Sequence, residues 1–105
     1  MDEQQTAKIL LHSSNSGVVQ MPGRKFPEIA IQGDSLSNLF DQVRYCLQQA
    51  KQHQDEEAYY EILMLAEMLQ GQLLNYESAL IELGMERPYS PSIQERLIQD
   101  DFSSS

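Results

Sequence analysis

The sequence predicts an α+β fold, a small three-stranded antiparallel sheet packed on a long antiparallel helical hairpin. Three observations predict it. Two short aliphatic segments flank a Ser-Asn-Ser-Gly stretch, a third segment alternates at period two, and beyond Asp34 the apolar period changes to that of a helix and holds as far as Leu83. At 105 residues the chain is one domain, expected to span 7–89, with a flexible lead-in over 1–6 and a C-terminal segment, 90–105, holding a short helix and a disordered tail.

The first strand is KILLHS at 8–13 and the second is VVQM at 18–21, joined by residues that tolerate turn geometry. Pro22-Gly23 ends the second strand, since proline cannot donate to a ladder, and Pro27 closes a loop whose tip carries Arg24, Lys25 and Phe26. Residues 28–32 form the third strand and stop at Gly33-Asp34.

Leu36, Phe40, Val43, Leu47 and Ala50 then fall at spacings of four and three, one stripe of a helix whose natural N-cap is Asp34 or Ser35. Asp55 caps a second helix, and Glu56-Glu57 complement its positive end. Its stripe is Tyr59, Ile62, Ala66, Leu69, Leu73, Tyr76, Leu80 and Leu83, and Gly84 stops it after about 42 Å. Gly71 inside it marks either a close approach or a slight bend. Ser92-Ile93-Gln94-Glu95 has the capping-box pattern of a short helix carrying Ile93, Leu97 and Ile98.

Seven Lys and Arg against sixteen Asp and Glu give a net charge of −9, which argues against nucleic acid or an anionic membrane as partner. The longest apolar run, at 62–66, is far short of the ~20 residues a membrane helix needs, and the N-terminus lacks signal-peptide character, so a cytoplasmic protein is expected. A lone cysteine, Cys46, reads as a small buried thiol.

No catalytic constellation appears. His12 and His53 stand in no recognisable motif, His53 with Glu57 lacks further metal ligands, and the adjacent pairs Glu56-Glu57 and Asp100-Asp101 are unsuited to acid–base work. The chain is therefore expected to be no enzyme and to hold neither metal nor cofactor.

Interaction is the better reading. Tyr60, Met64 and Met68 lie beside the main stripe of the second helix, so its apolar arc is wider than one helical partner needs. The surplus packs on the sheet or makes a homodimer. Phe26 either plugs the loop onto the helices or belongs to a recognition site with Arg24 and Lys25, while Ile93, Leu97, Ile98 and Phe102 either dock back or enter another protein's groove.

Residues 18–50, with Gln32-Gly33-Asp34-Ser35-Leu36 joining strand to helix, resemble the HicB-like antitoxin fold, whose members are small acidic proteins that neutralise a basic ribonuclease. No basic ribbon-helix-helix or helix-turn-helix follows here, so operator binding is not expected. The fuller run, residues 21–36 with the long helix and Leu83-Gly84-Met85-Glu86-Arg87-Pro88-Tyr89, looks more like an uncharacterised family of small bacterial proteins, cyanobacterial ones among them. That resemblance implies no activity.

The expected function is that of a non-catalytic interaction module, a small acidic adaptor, regulator or inhibitor that binds a basic protein partner and forms a homodimer through the second helix. The alternative is a small-molecule or anion sensor using the Arg24-Lys25-Phe26 loop.

Overall fold

The computed structural model describes residues 6–102; the expected lead-in up to residue 5 and the tail at 103–105 lie outside the described residues. Strands β1 (Lys8–His12), β2 (Ser16–Gln20) and β3 (Glu28–Ile31) form an antiparallel sheet in the order β1-β2-β3. Helices α1 (Gly33–Gln52) and α2 (Glu56–Leu83) form the hairpin, and a single 3-10 turn at Ile93–Arg96 follows. The fold class is the expected one.

Local chemistry explains the boundaries. The Ser13 N–H and hydroxyl both donate to the Ser16 carbonyl at 2.9 Å and close the first turn. Asp55 caps α2 by accepting from the Ala58 N–H at 3.1 Å, and Gly84 ends it at φ 68°, a left-handed position that glycine adopts without steric cost. The start of α1 differs from expectation. Its N-cap is Gln32, with no side-chain cap, because the helix begins at Gly33 and places Asp34 in the first turn, where the carboxylate accepts from the Ser35 N–H. A Cβ at Gly33 would run into the ring of Tyr76 on α2, so any larger residue there would displace that ring.

The hairpin seam also differs. Phe40, Val43, Leu47 and Ala50 of α1 are buried as their spacing predicts, but α2 buries Tyr59, Leu63, Ala66, Leu73, Glu77 and Leu80. Ile62, Leu69 and Tyr76 flank this seam, and Leu83 is exposed. Gln70 and Glu77 occupy seam positions because each accepts a hydrogen bond from the returning C-terminal segment, a partner invisible to apolar spacing. Gly71 meets nothing where a Cβ would stand, so it marks no close approach within the chain.

The segment after residue 89 belongs to the core. Ile93 is fully buried with Phe40 and Leu73, while Ile98 packs against both this cluster and the one formed by Leu47, Ala50, Tyr59 and Leu63. Ser92 and Glu95 make the expected capping box, although the helix they cap is only one 3-10 turn.

The sheet, by contrast, does not settle on the hairpin. All of β1 and β3 is exposed and β2 is at most half-buried. A single residue links β3 to α1, which leaves no loop for the sheet to fold back, and the C-terminal segment already fills the hairpin groove. The molecule is accordingly long, 55 × 31 × 24 Å, with a radius of gyration of 16.7 Å against ~13 Å for a compact chain of this size.

Candidate functional site

Along α2, at 100° per residue, Tyr60, Met64 and Met68 fall on the side opposite the α1 seam. Met64 and Met68 are 68% and 65% exposed, Tyr60 is 39% exposed, and Leu65 extends the patch. The sheet of the same chain leaves this face uncovered, which removes one of the two explanations for the wide apolar arc. Exposed Glu57, Glu61 and Glu67 border the face. Flexible methionines on an open surface with an acidic rim suit an adaptable contact with another macromolecule.

Tyr60 marks where this face meets the C-terminal segment. Its hydroxyl donates to the Asp100 carboxylate at 3.3 Å, and its ring stands edge-on to Tyr59 at 5.2 Å and 6.0 Å from Phe102. Burial of the Tyr60 hydroxyl and the charge of Asp100 push its pKa up.

Residues 92–102 are strapped to the hairpin by polar groups that apolar periodicity does not reveal. Glu77, buried, accepts from the Tyr89 hydroxyl at 2.7 Å and the Ile93 N–H at 2.8 Å. One heptad earlier the Gln70 side-chain carbonyl accepts from the Ile98 N–H at 2.8 Å, and at the far end the Tyr59 hydroxyl donates to the Asp101 carboxylate while accepting from the Asp101 N–H, both at 3.1 Å. Arg96, 7% exposed, donates to Asp41 on α1 and to the buried Ser37 hydroxyl, each at 2.8 Å, and lies over Phe40 and Tyr89. The apolar residues Ile93, Ile98 and Phe102 dock back, one of the two readings their pattern offered, and the sequence signal for the polar part of the strap is a polar residue at each of two seam positions seven apart, Gln70 and Glu77.

The strap has opposite sensitivities at its two ends. Hydrogen bonds from Lys51, then from Tyr59, hold the Asp101 carboxyl below its usual range. A depressed carboxyl stabilises the fold above its unfolded pKa, near 3.9, and that contribution is lost as pH falls below it. Burial first, and then Glu77, push the Tyr89 hydroxyl up, so its contribution is present below about pH 10 and lost as pH rises beyond. Amide-exchange protection of Asp101 and Phe102 is expected to fall first in acid, and that of Ile93 first in alkali, with α1 and α2 still protected. Uniform loss along the chain at both extremes would contradict this.

The other candidate residues do not join the α2 face. Arg24, Lys25 and Phe26 sit at the exposed end of the sheet, beyond a turn closed by the Arg24 N–H on the Met21 carbonyl. Phe26 is 72% exposed and so plugs nothing; Lys25 lies 5.3 Å from its ring centre, and Arg24 reaches Glu28 at 3.9 Å. Cys46 is exposed, not buried, because α1 turns that position away from α2. His53 lies 2.8 Å from the Gln49 carbonyl at the end of α1, and no cluster of His, Cys, Asp or Glu able to hold a metal occurs among the described residues.

An open cleft of about 770 Å³ lies between α1 and the strap. Its cations are already paired, Arg44 and Arg96 with Asp41 at 3.2 and 2.8 Å and Lys51 with Asp101 at 3.1 Å. No described helix is long and apolar enough to cross a membrane.

The chain belongs to a family of unknown function (DUF6959), whose model matches residues 2–89. No curated protein and no solved structure matches it. The matched stretch takes in the sheet and the helical hairpin and ends just before the strap.

Proposed function

We propose that this member of a family of unknown function is a non-catalytic protein-interaction module, an acidic adaptor, regulator or inhibitor that pairs with itself through α2 and captures a basic protein partner. The observation that carries the reading is the pair Met64 and Met68, two-thirds exposed on the side of α2 that its own chain leaves uncovered. Large apolar side chains grouped in an exposed patch are the usual mark of an interaction site.

Charge supports the second half. Residues 33–102 carry thirteen carboxylates against four cations, a net −9 on one elongated body, which steers a positively charged partner and repels nucleic acid and anionic lipid. The sequence context further suggests a bacterial, cytoplasmic protein, and the likeness of residues 18–50 to HicB-like antitoxins suggests neutralisation of a basic protein as the kind of task. The alternative, an anion sensor at Arg24-Lys25-Phe26, has less behind it, since Arg24 already lies within reach of Glu28.

Affinity capture from the native lysate at low and high salt tests this reading. A single basic protein should be retained stoichiometrically and released as salt screens the field, over the ~8–10 Å Debye length of dilute to physiological buffers. Absence of a retained protein, or retention indifferent to salt, would refute the capture of a basic partner. Light scattering on the same eluate should give twice the 12.0 kDa chain mass or a complex containing it twice.

A further inference from the structure

The exposed sheet is the feature the proposed function leaves unused. In an antiparallel ladder, residues directly opposite one another share a face, and the register places Leu11 opposite Val18 and Val18 opposite Ile29. Ile31, two residues beyond Ile29, shares that face. Leu11, Ile29 and Ile31 are 63%, 74% and 51% exposed, so an aliphatic row crosses all three strands and faces solvent. A small sheet needs a covered apolar face to persist in water.

Charge is unevenly distributed along the chain. Residues 1–32 carry three cations, Lys8, Arg24 and Lys25, against Asp2, Glu3 and Glu28, for a net of zero beside the −9 of residues 33–102, and Glu28 is the one carboxylate within the sheet region, 6–32. The three cations lie at the end of the sheet away from α1, where Lys8 pairs with Gln20 and the Gln20 side chain donates to the Arg24 carbonyl. The uncovered face of α2 offers the counterpart, Met64 and Met68 with Glu57, Glu61 and Glu67 around them.

These two surfaces cannot meet within one chain. The sheet joins α1 at Gly33, which abuts Tyr76, and Met64 lies twelve residues down α2, or ~18 Å along the axis. A second copy running antiparallel to the first solves both problems together, since a two-fold axis that lays one sheet on the partner's α2 does the same in reverse. The chain exposes 8094 Å² at 12.0 kDa, above the ~6000 Å² of a typical monomer of that mass, in keeping with a sheet that stands clear of its hairpin.

We infer that the sheet face of Leu11, Val18, Ile29 and Ile31 docks on the Met64-Met68 face of α2 in a second copy, with Lys8, Arg24 and Lys25 against the partner's acidic rim, in a reciprocal two-fold dimer. The inference rests on the self-association half of the proposed function and names its occupant. Each copy then covers the other's sheet, and the remaining acidic surface stays open to a basic partner.

Zero-length coupling of lysines to carboxylates in an equal mixture of ¹⁵N-labelled and unlabelled full-length protein tests this, with light scattering in parallel. The expected result is a particle of twice the chain mass in which mixed-isotope peptides join Lys8 or Lys25 of one copy to Glu57, Glu61 or Glu67 of the other. A dimer without such mixed links overturns the sheet-on-helix arrangement while leaving self-association standing. A monomer at all concentrations overturns both, and a mass that climbs without limit means a head-to-tail chain and overturns the two-fold.

Discussion

Met64→Glu is expected to dissociate the self-associated protein while leaving each chain folded. Met64 is 68% exposed within its own chain, so the monomer should lose no more than ~0.5 kcal/mol, the usual range for surface substitutions. In the proposed interface the same carboxylate would be desolvated beside Glu61 with the aliphatic row of the sheet opposite, while Lys8, Arg24 and Lys25 are engaged by the rim carboxylates, and self-affinity should fall at least ~100-fold. Sedimentation velocity reads the mass and urea unfolding reads the stability. An unchanged mass, or a folded dimer that also captures its partner normally, would remove the α2 face from the function. Met64→Gln, polar but uncharged, should give an intermediate loss if desolvation of charge is the cause.

Arg96→Ala is expected to cost ~2–3 kcal/mol and to free the C-terminal strap. The guanidinium is 7% exposed and ties three elements: it bonds Ser37 and Asp41 of α1, lies over Phe40 and Tyr89, and sits in the turn that buries Ile93. Without it the buried Ser37 hydroxyl loses its partner, at ~1–3 kcal/mol, and the cation–π contacts go as well. The Asp41 carboxylate, half-exposed, is rehydrated and adds little. For a chain of this size the loss lowers Tm by roughly 10 °C or more. Limited proteolysis should then cut within residues 90–102 while α1 and α2 stay intact. Arg96→Lys should recover only part, because one ammonium cannot replace the planar fork that reaches Ser37 and Asp41 together. A stability change under ~0.5 kcal/mol would mean that the strap is held without Arg96, by its apolar residues and its bonds to Tyr59, Gln70 and Glu77.

The contrast between these two residues separates assembly from folding. Met64 belongs to neither buried cluster of its own chain, and in the proposed dimer it acts between chains. Arg96 is buried and ties the strap to α1 from within. A variant that weakened the strap and the dimer together would place Tyr60 at the junction, since its hydroxyl meets Asp100 on the strap while its ring borders the Met64 face.

The local code of this chain was legible in the sequence, for a physical reason. A helix cap, a helix stop and a strand alternation depend on neighbours a few residues away, so Asp55, Gly84 and the Ser92–Glu95 box could be placed from their own surroundings, as could the three strands, although β2 begins at Ser16, inside the stretch read as the turn. The apolar stripe of α1 could be read for the same reason, and the exposed surplus on α2 followed from counting apolar positions beyond those one partner needs. What only the tertiary structure decided is what each element packs against. Gln70 and Glu77 look like solvent positions until the strap returns, from 16 residues away at its nearer contact, to donate its backbone N–H groups to them. Arg96 looks like a surface charge until Ser37 and Asp41, more than fifty residues earlier, surround it. The sheet was expected on the hairpin because apolar faces seek cover, and that principle holds. Spacing along one chain does not say which apolar surface supplies the cover, and here the groove goes to Ile93 and Ile98 while the sheet is left exposed.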